Sequence, residues 1–269
     1  DLLLEPSVDV LPGDLVRVSG IAGEFQNQTQ INASSGSVQV CSMNHDDFVT
    51  PTVVDFPLEG GQAALEAVEG MLVQVEQAMT VIEYFNLDRY GAVDVALERL
   101  EQPTDAAEPG ADALALLAEN EKLRIRLDDG SQEQNPFPVI LPDGQLEYGD
   151  AFGGGDTLTS IEGVMSWIRP RVGGDPERYA IQLTSLPVFT DTNPRPVAPD
   201  TGGTATVATF NVLNYFTTLG SRGADTTDEL EKQTTKIVTA LAEIDADILG
   251  LVEIENNYSL GGASAAAAL

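Results

Sequence analysis

Short apolar runs that alternate with polar residues fill the first two thirds of the chain. In "GDLVRVSGIAGEFQNQTQI", Gly13 to Ile31, Val16 and Val18 alternate with polar neighbours, and Gly20 and Gly23 interrupt as at a bend or bulge. "SVQVCS" predicts a short partner strand. The pattern returns in "EGMLVQVEQAMTVIEYF" from Glu69 and in "GDTLTSIEGVMSWI" from Gly155, each with a glycine ahead of the alternating run. This is either a weak internal repeat or the common way a twisted strand begins, and the second reading is preferred. "RYGAVDVAL", "KLRIRLDDGS" and "ERYAIQLTSL" alternate as well, with Asp129-Gly130 as a turn signal. Many short strands with Gly-rich turns predict a small barrel or sandwich over residues 1–190. Residues 1–50 are readable as the end of one module and 51–190 as a second. "EQPTDAAEPGADALALLAENE", Glu101 to Glu121, breaks the rhythm and predicts a loop carrying a short helix.

"DTNPRPVAPDTGG", Asp191 to Gly203, is rich in proline and ends in two glycines, which predicts an extended linker. Beyond it the period changes. Thr204 to Leu213 reads as a strand. Asp228 to Ile244 carries Leu230, Ile237, Val238, Leu241 and Ile244 on one helix face, with Asp228 available to cap its start after Thr226-Thr227. "DILGLV", Asp247 to Val252, is a continuous apolar run typical of a strand buried on both faces. Strand, helix, strand is a βαβ unit, and its crossover makes the strands parallel.

In a parallel pair both carboxyl ends lie at one sheet edge, where ligands of open α/β sheets bind. Asn211 closes the first strand and Glu253 the second. Adjacent strands lie about 4.8 Å apart, so an amide oxygen and a carboxylate there can share one ion. Two protein oxygens, with the other positions left to water and a substrate phosphate, is the Mg²⁺ pattern. Ca²⁺ and Mn²⁺ are the alternatives. The plainer reading is that Asn211 caps a loop and Glu253 is a solvated strand end, and spacing alone favours it.

Charge changes the picture for partners. Asp and Glu number 43 against 13 Lys and Arg, a formal charge of -30. Such a surface keeps a chain soluble and opposes a sequence-independent grip on polyanions. High ambient salt would screen the self-repulsion, so a saline habitat fits. The one cysteine, Cys41, excludes an internal disulfide and a metal-type Cys cluster. No apolar run is long enough to span a membrane, so no membrane partner is expected. The chain starts at "DLLLEP" without methionine and stops in "GGASAAAAL", and both ends are expected to be cut.

"ATFNVLNYF" followed by "DADILGLVEIEN" resembles the opening of an endonuclease/exonuclease/phosphatase domain, the DNase I-like fold. "RIRLDDGSQEQNP", "NPRP", "FNVLNYF", "RGAD" and "VEIEN", in this order, resemble secreted bacterial nucleases of the ExeM/NucH type, and "YFNLDRYGAVDVAL" and "LPGDLVRVSGIAGEF" resemble the OB-fold-like region that precedes their nuclease domain. The resemblance implies a mainly β, OB-fold-like barrel region over 1–190, a linker over 191–203, and the β-α-β start of an α/β DNase I-like sandwich over 204–269. It implies that Glu253 ligates a divalent metal, Mg²⁺ first, and that Asn211 ligates it or positions the phosphate. No small-molecule cofactor is implied. The implied function is that of the N-terminal portion of an extracellular, metal-dependent nuclease hydrolysing phosphodiester bonds of DNA, with RNA as a further substrate to consider.

Two departures matter. Where the family commonly carries a basic "RQR" in the first helix, this chain has "EKQTTK", with Lys232 and Lys236 as the remaining cations. The family's catalytic His and later Asp and Asn residues lie far beyond Glu253. The only histidine here is His45, in "MNHDDF", read as a surface residue without a catalytic role. "HDD" and "LDDG" fit no EF-hand spacing and read as acidic turns. Hydrolysis needs a charge clamp, an activated water and a proton for the leaving oxygen. The general base and its orienting acid are missing, so this chain is expected to be inactive.

The β-rich region would bind single strands if aromatics lined one face. The candidates are Tyr84, Phe85, Tyr90, Trp167 and Tyr179, with Arg89, Arg169, Arg171 and Arg178 near them in sequence. The plainer reading is that most of these aromatics fill the core and the arginines pair with acids. Two other functions stand beside the nuclease: a nucleic-acid- or glycan-binding module without catalysis, and a phosphoesterase of the same fold acting on a non-nucleic-acid substrate.

Overall fold

The computed structural model describes residues 8–45, 48–131, 133–136, 139–141, 152–169, 177–194, 196–197, 202–257 and 264–269, with the backbone alone over 34–36. Arg171 and the Asp46-Asp47 pair of the acidic turn lie outside the described residues. The chain divides into two compact units, Asp1–Pro194 and Arg195–Leu269. The first is mainly β.

Its opening is a long hairpin of β1 (Leu15–Phe25) and β2 (Gln28–Ser42), paired antiparallel. The continuous run from Gly13 to Ile31 therefore folds back on itself. Gln26 and Asn27 take φ of 58° and 62°, the left-handed pair whose twist suits a two-residue hairpin. "SVQVCS" is the far end of β2, not a separate strand. Residues 34–37 fall between the stretch that pairs Gly20 with Ala33 and the stretch that pairs Val18 with Val38. The hairpin tip is held by side chains: Asn27 Nδ2 donates to Glu177 at 3.1 Å and Gln28 Nε2 to Ser166 Oγ at 3.2 Å.

A nine-stranded sheet, curled as a half-barrel, forms the rest of this unit. Its strands are β3 (Thr52–Val53), β4 (Leu72–Val75), β5 (Met79–Glu83), β6 (Ala92–Ala96), β7 (Arg124–Asp128), β8 (Thr157–Thr159), β9 (Ile161–Ile168), β10 (Arg178–Leu183) and β11 (Val188–Thr190). They lie in the order β11-β8-β5-β6-β7-β10-β9-β4-β3. Two alternating runs break where one strand was expected. The run from Glu69 gives β4 and β5, which join different neighbours. The run from Gly155 breaks at Ser160, φ 57°, into β8 and β9. Alternation cannot report such a break, because the side-chain period is the same on either side of it. The expected loop after Glu101 holds α2 (Pro103–Ala106) and α3 (Ala111–Leu123), with the four-residue α1 (Leu87–Tyr90) ahead of β6.

One face of the sheet forms the core, with Val73, Val75, Val93, Val95, Ile125, Leu127, Met165 and Ile181 almost fully buried. Burying each such side chain is worth about 1.5–3 kcal/mol. On β6 every residue is buried, so Asp94, which alternates with Val93 and Val95, is enclosed as well. Across the ladder Asp94 faces Arg126, and both of its oxygens are taken by guanidinium groups.

The second unit is a βαβ. β12 (Val207–Tyr215) and β13 (Ile248–Ile254) pair in parallel, with α4 (Thr227–Ile244) between them in sequence. Thr226, not Asp228, is the N-cap. Its Oγ1 accepts from Glu229 N at 3.2 Å, and Glu229 Oε2 accepts from Thr226 N at 3.2 Å, a reciprocal capping box that leaves Asp228 in the first turn. Val212, Tyr215, Ile237 and Ala265 form a small core with Phe210, Leu230, Leu241 and Leu251 packed on it. The other sheet face is open: Val207 is 69% and Ile248 60% exposed. β13 was expected to be buried on both faces, and in this unit one face is covered.

Candidate functional site

β12 and β13 run in step from Val207 opposite Ile248 to Asn211 opposite Val252. There the register jumps. The next pair is Tyr215 with Ile254, so Val212, Leu213 and Asn214 bulge against the single residue Glu253. Three non-glycine residues of this bulge are left-handed: Leu213 at φ 50°, Asn214 at φ 51° and Glu253 at φ 64°. Each costs about 1–2 kcal/mol relative to ordinary backbone.

The distortion has a geometric effect. Strand alternation would place Glu253 with Leu251, on the face that α4 covers. The left-handed turn breaks the alternation, and Glu253 is exposed, with its Oε2 accepting from Asn214 N at 3.2 Å. Asn211 is exposed too, and its Oδ1 accepts from Leu213 N at 2.8 Å. Both predicted ligands thus bond to the same three-residue bulge at one sheet edge. An amide oxygen has two lone pairs, so the bond from Leu213 leaves Asn211 able to meet a cation. Among the described residues no group of three His, Cys, Asp or Glu side chains is placed to hold an ion. The donor set here is one carboxylate and one amide, which fits Mg²⁺ better than a metal needing an all-protein cage.

The bulge is held from α4, and the segment that follows β12 is held by Glu255. From α4, Gln233 Nε2 donates to Val212 O at 3.2 Å and to Leu213 O at 2.9 Å, and Thr234 Oγ1 bonds Tyr215 Oη at 2.9 Å. Just past β13, Glu255 accepts from Thr217 N at 2.8 Å, Thr217 Oγ1 at 2.9 Å, Thr218 N at 3.1 Å and Asn257 Nδ2 at 2.9 Å, with Thr218 Oγ1 bonded as well. These donors, Thr218 Oγ1 foremost, hold its carboxyl below the usual range. Sequence reading missed both residues. Gln233 carried a signal, since it is a polar residue on the apolar helix stripe of Leu230, Ile237 and Leu241. Glu255 carried none beyond standing two residues after Glu253.

The basic and aromatic candidates of the first unit are scattered by comparison. Trp167 and Tyr179 pack edge to face at 4.9 Å, and the buried Tyr179 hydroxyl donates to Glu66. Arg178 Nη1 bonds Asp94 at 2.8 Å beside Arg126 Nε at 2.6 Å and the Arg124 guanidinium. Burial pushes Asp94 up, but the Arg126 bond and the three positive charges outweigh it and hold the carboxyl below its ordinary range. Tyr84 and Phe85 are exposed, and Arg89 stands over the Tyr90 ring at 5.5 Å. A shallow cleft brings Tyr90 and Arg169 together with Arg126 and Asp128, and there Arg169 donates to Gln26 of the hairpin. His45 bonds Ser42 Oγ at 2.6 Å and packs on Phe48 at 4.4 Å. No helix among the described residues is long and apolar enough to cross a membrane.

No protein-family model, no curated protein and no solved structure matches this chain.

Proposed function

We propose that this chain is the N-terminal portion of a secreted, metal-dependent nuclease, with an OB-fold-like region ahead of the start of a DNase I-like domain, and that Asn211 and Glu253 are its metal-side residues. The observation that carries the reading is the left-handed bulge at the end of β12, to which both side chains bond. Strained backbone of this kind persists where the surroundings over-determine it, and it clusters at ligand sites.

In this reading Glu253 supplies the one charged ligand and fixes where positive charge sits. Asn211, held by the Leu213 N–H, supplies a neutral oxygen or turns its amide N–H₂ to a phosphate oxygen. A bound divalent ion would polarise the phosphoryl group and lower the pKa of an attacking water. Deprotonating that water and protonating the leaving oxygen need groups that neither side chain can replace. The single histidine, His45, bonds Ser42 and is given no role in this reading. DNA is the proposed substrate. Of the arginines that a separate nucleic-acid-binding role would use, Arg178 is tied to the buried Asp94.

Amide NMR of this chain under Mn²⁺ titration tests the site, since a paramagnetic ion reports even weak binding. Selective broadening of residues 211–214 and 252–254 is expected. Broadening spread over the many acidic surface positions, with none selective there, would overturn the assignment.

A further inference from the structure

We propose that Gln233 is a positioning residue for the Asn211–Glu253 pair; this rests on reading that pair as an ion site. A left-handed bulge turns backbone carbonyls away from the strand partner. Val212 O and Leu213 O are two such groups, and one side-chain amide, Gln233 Nε2, donates to both. The same two peptide groups, 212–213 and 213–214, connect to the candidate ligands. Leu213 N is the donor to Asn211 Oδ1, and the next amide, Asn214 N, is the donor to Glu253 Oε2. Gln233 touches neither ligand. It holds the peptide groups from which both ligands are oriented.

The placement on α4 supports a specific role. Leu230, Ile237 and Leu241 pack on the small core, and Gln233 sits in their stripe at helical spacing. A leucine there would add apolar contact at no backbone cost. An amide there is explained by the carbonyls it serves. One turn of helix fixes two points of β12, because the adjacent Thr234 bonds Tyr215 at the far end of the bulge. Sites need their ligands held by groups that are themselves locked by packing, and α4 packs on the small core through Leu230, Ile237 and Leu241.

The test uses the whole chain and three proteins: the parent sequence, Gln233→Met and Gln233→Lys. Methionine keeps length and loses the donor; lysine keeps a donor. Helix content should be equal in all three by circular dichroism. Amide exchange at Leu213 and Asn214 should be about tenfold faster in Gln233→Met, which loses the one donor shared by both carbonyls, and should return to within about threefold in Gln233→Lys. The Mn²⁺ concentration needed for half broadening at Asn214 should rise about tenfold in Gln233→Met, because disorder in the bulge must be removed before both ligands meet an ion. Unchanged exchange at both amides in Gln233→Met would overturn the proposal. Faster exchange with the same Mn²⁺ response would also overturn it, by separating the bulge from the ion. Faster exchange with no Mn²⁺ response in the parent sequence would overturn the ion site itself, and the positioning role with it.

Discussion

The backbone N–H of Asn214 donates to Glu253 Oε2 across the β12–β13 edge at 3.2 Å, and both residues are left-handed, at φ 51° and 64°. A carboxylate that strand alternation would send under a helix is brought out to a sheet edge beside an asparagine. The bond is to a charged acceptor, so it is stronger than a neutral one and sensitive to the acceptor's charge.

Glu253→Gln keeps the shape and removes the charge. Selective Mn²⁺ broadening at residues 211–214 should disappear while the fold is retained. Asn211→Ala should weaken the response about as much if Asn211 ligates the ion, and less if it only positions phosphate. A Glu253→Gln protein with an unchanged response returns Glu253 to the plain role of a solvated strand end.

The chain should not cleave DNA. The chain carries a single histidine, His45, and among the described residues no group of three His, Cys, Asp or Glu side chains is placed to hold an ion. Plasmid incubated with the purified chain and Mg²⁺ should stay supercoiled. Nicking above a matched blank preparation would mean that another base serves.

Asp94 should matter for stability rather than for binding. Its carboxylate is 1% exposed and meets Arg124, Arg126 and Arg178. Asp94→Asn leaves buried guanidinium groups without their counter-charge and should cost about 3–5 kcal/mol in denaturant unfolding. The pH dependence follows the same cause. The folded carboxyl titrates below its ordinary value of 3.8, so its contribution is full above that value and is lost as pH falls below it through the folded pKa. An Asp94→Asn protein as stable as the parent at neutral pH would show that the cluster is not a structural ion pair.

Glu255 should behave as a loop pin. Its folded carboxyl is also depressed, so its ties to Thr217 and Thr218 hold at neutral pH and are lost as pH falls through that lowered value. Glu255→Ala should speed amide exchange at Thr217 and Thr218 and leave β6 and β7 untouched. Equal protection at those two amides would remove it from the support of the segment that follows β12.

Amide exchange should be faster beyond Thr206 than in the nine-stranded sheet. The sheet of the second unit has two strands and one covered face, with Val207 and Ile248 largely exposed, whereas β6 is buried at every residue. Protection tracks buried apolar contact and sheet depth. Equal protection in both units would contradict this.

The sequence by itself determined the elements whose causes are local. Helical apolar spacing over Asp228–Ile244 announced a helix after a run of strands; of the five residues expected on its face, Leu230, Ile237 and Leu241 pack on the small core, while Val238 and Ile244 are exposed. The two compact units divide between Pro194 and Arg195. The parallel pairing of β12 with β13 followed from the crossover, and with it the common edge of Asn211 and Glu253. Only the tertiary structure decided the rest. Period two reads the same in one strand or in two, so the breaks at Ser160 and between β4 and β5 were invisible. Alternation in β6 and β7 gave apolar and polar faces but not that Asp94 would be enclosed by three arginines, because Arg178 arrives from β10, distant in sequence. The left-handed bulge depends on Gln233, about twenty residues from the peptide groups it supports, and on the register of β13. Its local part, the Leu213 N–H bond to Asn211 Oδ1, is within reach of a sequence reading; the bonds from Gln233 and to Glu253 come from residues far along the chain, which no local pattern encodes.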